Sequence, residues 1–405
     1  MKIPALIYQR RIAKEIMPYF NDEITIVIHG ARQVGKTYLF YYLINALQEK
    51  KEKTFYFDLE DSLLLSTFNQ GYTALLQLLQ ASGYQEDKAV YVFIDEIQYL
   101  DNPSSFIKLL TDHHKNIHLL VSGSSTFAIK SKFKDSLVGR TINFELFPLS
   151  FVEFIKFKGH DFSLNKINDP YHIALLKTLY TEYVMYGGYP KIVLTSSVEK
   201  KKKFLSQIID SYIRKDIKDL GKIEDIKKFN RLLFVLASQT GQLLNVARLS
   251  KETSLSIPTI NKYLFLLEQT FILKLLPPFS QNPHVEIVKN PKIYFYDSGL
   301  ASLLWLHDFP KILIGNLFET SIFSEFVKKY GHDSLFFWRT KNKQEIDFIL
   351  RLKKSILPIE VKINFGAFNK KTILAFCDRY RLAIFKVTAL EGKKSYDYEI
   401  YPWEI

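Results

Sequence analysis

One eight-residue motif near the amino terminus constrains the fold more than any other feature of the sequence. The pattern G-x-x-x-x-G-K-[ST] is matched by Gly30, Ala31, Arg32, Gln33, Val34, Gly35, Lys36 and Thr37. The apolar segment 24–28 leads directly into the motif, and a helical pattern begins at its end. In that setting the glycines let backbone N–H groups surround a phosphate at the start of a helix. The motif therefore predicts a phosphate-binding loop between a strand and a helix.

Each residue of this motif is a candidate nucleotide contact, and two of them have specific roles. Lys36 is expected to reach the β and γ phosphates of a nucleoside triphosphate, for which we take ATP. Thr37 is expected to offer its hydroxyl to Mg²⁺, because this hard cation prefers oxygen ligands. The motif thus predicts ATP and Mg²⁺ as ligands.

The first 149 residues alternate short apolar runs with helical patterns, which is typical of a parallel sheet covered by helices. The predicted strands are residues 24–28, 54–57, 90–94, 118–121 and 141–144. Helices are predicted at 37–47 and 72–79. We therefore expect an α/β domain of the P-loop type over residues 1–149.

The third predicted strand ends in two adjacent acids, Asp95 and Glu96. The carboxyl edge of a parallel sheet is where such folds bind their ligands. Asp95 is therefore expected to hold the Mg²⁺ shell, and Glu96 to polarise the attacking water. Together with the phosphate-binding loop, these acids predict hydrolysis of a nucleoside triphosphate.

Two further segments supply candidates for the same edge of the sheet. The fourth strand runs into Ser122, Gly123, Ser124 and Ser125, where a hydroxyl would sense the γ phosphate. We take Ser124 as the candidate, although the sequence leaves the choice among the serines open. Arg140 precedes the fifth strand and is a candidate arginine finger for a neighbouring subunit, which leaves open a homo-oligomer.

Composition narrows the class of protein and its compartment. The single cysteine, Cys377, excludes an intramolecular disulfide framework and cysteine-rich zinc sites, so a reducing compartment fits best. The sequence shows no apolar signal core and no stretch near the roughly 18 apolar residues of a membrane span. We expect a cytoplasmic protein without membrane contact. Its net charge of +13 favours an anionic partner such as nucleic acid.

The middle of the chain predicts two helical regions. Residues 150–235 form a helical lid and connector, opened by a capping box of Ser150 and Glu153. Residues 236–305 show the helix, turn, helix and strand order of a winged helix. In its second helix Thr259, Asn261 and Lys262 are expected to be exposed. Because only one of the three is basic, contact with DNA and contact with protein both stay open.

The last hundred residues, 306–405, contain a second group of acids. Glu319 shares a helix face with apolar residues, Asp347 lies in a strand, and Glu360 and Lys362 share one face of another strand. Three carboxylates and a lysine of this kind are able to bind Mg²⁺ and prepare water for phosphodiester attack. The same residues also suit a structural cluster in a fold that does not cut.

The motifs at 30–37, 90–96, 122–125, 139–140, 148–153, 186–190 and 338–362 together resemble a prokaryotic family of AAA-type ATPases with a C-terminal domain of unknown function. The resemblance spans nearly the whole chain. It implies an AAA-like core, then a winged helix, then a restriction-nuclease-like α/β domain. One departure is the serine cluster, since a polar amide or threonine is commoner there.

The sequence thus predicts an Mg²⁺-dependent ATPase that couples nucleotide state to its C-terminal half, with DNA favoured over protein as partner. Two alternatives stay open. One is an ATP-regulated, metal-dependent nuclease that uses Glu319, Asp347, Glu360 and Lys362. The other is a regulatory or signalling ATPase whose winged helix binds protein.

Overall fold

A computed structural model describes most of the chain and divides it into two compact units. The described ranges are 6–123, 137–161, 169–210, 225–280, 290–340, 342–353 and 355–405, with the single residues 4, 164, 167 and 223. Unit 1 comprises residues 1–147 and 269–271, and unit 2 comprises 148–268 and 272–405. No helix in the described ranges is both long enough and apolar enough to cross a bilayer.

Unit 1 is built around a five-stranded sheet. Its elements are α1 Ile12–Ile16, β1 Thr25–His29, α2 Lys36–Glu49, β2 Thr54–Asp58, α3 Ser62–Asn69, α4 Tyr72–Ala81, β3 Val90–Asp95, α5 Pro103–His113, β4 Ile117–Gly123 and β5 Thr141–Glu145. All five predicted strands are present, and they pair in parallel in the order β2-β3-β4-β1-β5. The sequence pattern of alternating apolar runs and helices is therefore confirmed.

The central strands of this sheet are buried on both faces, as their continuous apolar runs indicate. Every residue of β1 and β3 is buried. Parallel pairing places the carboxyl ends of β1, β3 and β4 at one edge, where Asp95 of β3 follows Ile94, the partner of Val121 in β4. The sheet thus delivers the phosphate-loop motif and the two acids to the same edge.

Unit 2 begins with helices. They are α6 Phe151–Phe157, α7 Pro170–Tyr186, α8 Pro190–Val193, α9 Val198–Ile208, α10 Ile226–Ser238, α11 Val246–Thr253 and α12 Ile257–Gln269. The predicted capping box opens α6, because the Ser150 side chain accepts from the Glu153 backbone N–H and the Glu153 carboxylate accepts from the Ser150 N–H. The turn after α7 is fixed by the buried Asp297, which accepts from the Gly188 N–H at 2.7 Å.

The helices lead into a hairpin and a second sheet. The elements are β6 Leu273–Leu276, β7 Lys292–Phe295, α13 Ser298–Leu306, α14 Gly315–Tyr330, β8 Leu335–Arg339, β9 Glu345–Arg351, β10 Ile356–Asn364, α15 Lys370–Tyr380, β11 Lys386–Glu391 and β12 Glu399–Ile400. Strands β6 and β7 pair antiparallel. The order β12-β11-β10-β9-β8 gives a mixed sheet, antiparallel on the β8 side of β10 and parallel on the other. A C-terminal α/β domain is therefore present.

Candidate functional site

The phosphate-loop motif forms an open backbone loop between β1 and α2. Gln33 and Gly35 have positive φ angles of 61° and 98°, and α2 begins at the next residue, Lys36. Such reversals of the backbone turn successive N–H groups toward one concave face, which suits an anion. Only glycine fits at position 30, because the Cβ of any other residue at Gly30 would lie 2.3 Å from the Leu146 carbonyl oxygen. The loop is therefore shaped as a phosphate cradle.

Lys36 supplies the positive charge of this cradle. Its side chain is buried, and its Nζ donates to the carbonyl oxygens of Gly30 and Ala31, both at 3.1 Å. Burial lowers the pKa of Lys36, while the carboxylates of Glu96 and Asp95 act in the opposite direction. The ammonium thus lies inside the loop, held by weak neutral acceptors that a phosphate oxygen would outcompete.

The Asp95 carboxylate is held by donors from four segments. Thr37 Oγ1 donates to Asp95 Oδ2 at 2.6 Å, and the Tyr56 hydroxyl donates to the same oxygen at 3.3 Å. The Ser122 hydroxyl and the Glu96 backbone N–H donate to Oδ1. Four donors fix the orientation of a carboxylate that is itself buried. The predicted pair of Mg²⁺ ligands, Thr37 and Asp95, is therefore brought together.

Glu96 follows in a left-handed conformation, with φ of 57°. Its carboxylate accepts a hydrogen bond from the Gln98 side-chain amide. Burial and the neighbouring Glu96 charge raise the pKa of Glu60, whereas Arg32 acts to lower it. Glu96 therefore stands among charged side chains of the loop and of the segment after β2, at the carboxyl edge of the sheet.

The sequence reasoning missed one residue at this site, Tyr56, and did not assign the contact that another, Ser122, makes. Tyr56 carries no motif signal, since it is one aromatic residue in an apolar strand. Ser122 belongs to the predicted serine cluster, but only the structure shows that its hydroxyl meets Asp95. Ser124, the candidate sensor, lies outside the described residues.

The placement of Arg140 at the nucleotide edge was wrong. Arg140 precedes β5, and its carbonyl oxygen accepts from the N–H of Thr25, the first residue of β1. It therefore lies at the amino edge of the sheet, level with residue 24 and roughly 20 Å from Gly30 at about 3.3 Å per residue. Its guanidinium forms two hydrogen bonds, of 2.7 and 3.1 Å, with Asp112. A role toward a neighbouring subunit stays a prediction.

The second helix of the predicted winged-helix region, α12, has the predicted amphipathic character. Ile260, Tyr263, Leu264 and Leu267 are buried. Asn261 and Lys262 are exposed, and Thr259 is half-buried with its hydroxyl 2.7 Å from that of Ser256. Two large apolar side chains, Ile257 and Phe265, are also half exposed on this helix.

The four predicted residues of the C-terminal site lie near one another in unit 2, where the charge of Asp347 acts to raise the pKa of Glu319. Lys362 Nζ lies 2.7 Å from Glu360 Oε2 and 3.5 Å from Asp347 Oδ2. Glu319 accepts from the Tyr294 hydroxyl and lies 3.3 Å from Lys292 Nζ. The sequence reasoning missed Lys292 and Tyr294, because neither belongs to a motif. Glu345 lies within the motif at 338–362 but was given no role in the site.

Comparisons with known proteins agree with this architecture. Residues 22–155 match the model of an AAA domain, residues 177–310 match a domain of unknown function (DUF8612), and residues 314–403 match another (DUF4143). An uncharacterized protein of Methanocaldococcus jannaschii is 29% identical over 331 residues, which cover 80% of this chain and 71% of the relative. One of Haemophilus influenzae is 26% identical over 390 residues, covering 93% and 92%.

Among solved structures, the Walker-type ATPase of Pyrococcus abyssi aligns with a TM-score of 0.45 and 10% identity, covering 75% of this chain and 99% of that one. The replication initiator DnaA bound to AMPPCP and single-stranded DNA aligns with a TM-score of 0.30 and 14% identity, covering 64% and 86%. The domain matches and the loop geometry identify a P-loop domain of the AAA type, followed by a C-terminal α/β domain of unknown function. The resemblance stated from the sequence is confirmed to that extent.

Proposed function

We propose that the chain binds ATP with Mg²⁺ in the phosphate cradle and hydrolyses its terminal phosphate. The observation that carries this proposal is the 2.6 Å hydrogen bond between Thr37 Oγ1 and Asp95 Oδ2. It joins the hydroxyl of the loop to the acid of β3, the pair of oxygen ligands that a P-loop site offers to Mg²⁺. One cysteine in 405 residues favours a reducing compartment, so we propose that this happens in the cytoplasm.

The residues of the site would have different roles in this reaction. The loop amides and Lys36 would bind the β and γ phosphates, and Thr37 and Asp95 would hold Mg²⁺. The bound ion would neutralise charge on the phosphate oxygens. Glu96 would accept a proton from the attacking water, in an orientation supported by Gln98. This assignment needs no residue outside unit 1.

Replacing Glu96 tests the proposal. Glu96→Gln should retain nucleotide binding and lose roughly 10² to 10⁴ in turnover, because the amide does not accept the proton. Phosphate release measures turnover, and a fluorescent ATP analogue measures binding. Glu49→Gln, an exposed acid at the end of α2, is the matched control and should leave both unchanged. Wild-type turnover in Glu96→Gln would refute the assignment.

We further propose that nucleotide state is coupled to DNA contact through unit 2. Three helices, α10 to α12, precede the β6–β7 hairpin, which is the element order of a winged helix. Asn261 and Lys262 are exposed on α12, and the net charge of +13 favours a polyanion.

Turnover with and without single- and double-stranded DNA tests this coupling. DNA should raise or lower the rate, and binding should be strongest at low salt because phosphate contacts release counterions. Lys262→Glu should weaken DNA retention more than Lys393→Glu, an exposed lysine far along the chain that changes the net charge equally. Equal retention by the two variants would argue against α12 as the contact.

The half-exposed Ile257 and Phe265 on α12 favour a second candidate, a regulatory ATPase whose winged helix binds protein. Apolar side chains on an exposed helix suit a protein surface better than a phosphate backbone. Turnover that DNA does not change, together with no DNA retention at low salt, would support this candidate.

A further inference from the structure

The acids of the C-terminal domain form one cluster with three basic side chains. The carboxylates come from α14, β9 and β10, and are those of Glu319, Glu345, Asp347 and Glu360. The cations are Lys292 of β7, Arg339 of β8 and Lys362 of β10. The cluster therefore contains nearly as many fixed positive charges as carboxylates.

Lys292 occupies the part of the cluster near α14. Its side chain is only 3% exposed, and Nζ lies 2.6 Å from Glu345 Oε1 and 3.3 Å from Glu319 Oε1. Arg339 Nη1 lies 2.7 Å from the other oxygen of Glu345. One ammonium thus bridges two carboxylates contributed by different elements, as a metal ion would.

Lys362 has the same relation to the other two acids. Its Nζ lies 2.7 Å from Glu360 Oε2 and 3.5 Å from Asp347 Oδ2. Asp347 Oδ2 also accepts from the backbone N–H of Val361 at 2.8 Å. All four carboxylates therefore have an ammonium neighbour within salt-bridge distance.

The residues do not fit the Mg²⁺ that a nuclease-like site implies. Mg²⁺ requires oxygen ligands at roughly 2.1 Å in octahedral geometry, and usually keeps several waters. Across the ranges that the structure describes, no three His, Cys, Asp or Glu side chains are arranged to hold a metal ion. The lysines supply the charge that such an ion would otherwise supply.

The pKa values of the cluster also favour lysine as its cation. Burial raises the pKa of Glu319 to about 7 and that of Glu360 to about 8. Burial by itself would lower the pKa of Lys292, but the charges of Glu319, Asp347 and Glu345 raise it overall. The neighbouring acids thus favour the charged form of Lys292, which keeps an ammonium between Glu319 and Glu345.

We propose that Lys292 and Lys362 occupy the cation positions of this cluster, so that the C-terminal domain holds its carboxylates without Mg²⁺. Lys292 thereby ties the β6–β7 hairpin to α14 and β9, and the cluster is an ion-pair junction rather than the centre of a metal-dependent nuclease. This inference concerns unit 2 alone and does not depend on ATP hydrolysis.

Metal binding to the full chain provides the first test. The substitution Asp95→Asn removes the proposed Mg²⁺ ligand of unit 1. Mn²⁺ is then titrated into the protein, and its binding is followed by the paramagnetic resonance signal of the ion. Asp95→Asn and Asp95→Asn/Asp347→Asn should bind Mn²⁺ identically. A saturable site that Asp347→Asn abolishes would overturn the proposal. Nicking of a plasmid in Mg²⁺ should likewise be the same for wild type and Asp347→Ala, and loss of nicking in that variant would also overturn it.

The role of Lys292 as a tether provides the second test. All three tryptophans, Trp305, Trp338 and Trp403, belong to unit 2, so tryptophan fluorescence follows the unfolding of that unit. Lys292→Met should lower the unfolding temperature by about 5 °C or more, because it leaves buried carboxylates unpaired. Lys274→Met, on the neighbouring strand with a more exposed pair to Glu268, is the control and should change it little.

A double variant separates charge from packing. Adding Glu319→Gln to Lys292→Met should restore part of the lost stability, since it removes the acid left without its cation. Equal stability of Lys292→Met and Lys274→Met would overturn the tether, as would a double variant no more stable than the single one. If Lys292→Met does not fold, the Mn²⁺ titration decides the proposal by itself.

Discussion

The raised pKa values of the C-terminal cluster predict that unit 2 loses stability as the pH rises from 5 to 8. The perturbation is the pair of substitutions Glu319→Gln and Glu360→Gln, which removes the two groups responsible. Burial is the main cause of both shifts, and the charge of Asp347 adds to it. The folded state therefore retains protons that the unfolded chain has already released.

The sign and the size of this change in stability follow from the linkage between proton binding and folding. The ordinary glutamate pKa is 4.5 and that of Glu319 in the fold is about 7. The stabilisation from the protonated form is complete below 4.5 and is lost as the pH rises through the folded value. Because Glu319 and Glu360 both interact with Asp347, we count them as one titrating set. The shift of Glu319 alone then corresponds to about 3 kcal/mol at 25 °C.

Urea unfolding followed by tryptophan fluorescence measures this effect. With a slope of roughly 3 kcal/mol per molar urea for a unit of this size, the wild-type midpoint should fall by about 1 M between pH 5 and pH 8. The double variant should show a much smaller fall. Glu268→Gln, which removes a more exposed acid of the same unit, should behave as wild type. A wild-type midpoint that stays level, or an equal fall in the double variant, would show that Glu319 and Glu360 do not retain their protons in the folded state.

Two further predictions concern unit 1. Gly30→Ala should weaken ATP-analogue binding at least about tenfold, because the added Cβ meets the Leu146 carbonyl oxygen, while the tryptophan-monitored stability of unit 2 stays the same; unchanged affinity would contradict the tight approach. Arg140→Ala should reduce turnover only where subunits assemble, as judged by sedimentation and phosphate release, and an assembled variant with the wild-type rate would eliminate the finger role.

Most of unit 1 was predictable because its signals are local. A glycine-lysine-threonine loop between an apolar strand and a helix leaves little choice of fold, and the buried strand β3 carries Asp95 at its end as the motif requires. Strand order is not local information, but parallel pairing places the ends of β1 and β3 at the same edge of the sheet, with β4 between them. Thr37 reaches Asp95 at that edge. The loop and its acid were therefore within reach of the sequence.

The wrong and missing predictions for unit 1 concern the edge of the sheet at which a residue lies and the contacts between neighbouring strands. Arg140 lies only one residue from a strand that borders the loop, yet it stands at the strand's amino end and so at the opposite edge. Tyr56 and Ser122 lie on β2 and β4, on either side of β3, and reach Asp95 laterally across the sheet. Lateral contacts depend on register, which spacing along the chain does not reveal.

The contacts of Lys292 likewise could not be predicted from spacing along the chain, and they have a larger functional consequence. Glu319, Asp347, Glu360 and Lys362 have the sequence spacing of a metal-dependent nuclease. That spacing predicts that the acids bind a metal ion from solution. The fold instead supplies a cation from β7, because Lys292 begins a strand whose next-but-one residue, Tyr294, also meets Glu319. Alternate residues of a strand share a face, so one short strand delivers both an ammonium and a hydroxyl to the acids of α14 and β9. Whether a carboxylate cluster takes a metal is thus decided by the neighbouring strand rather than by the acids themselves.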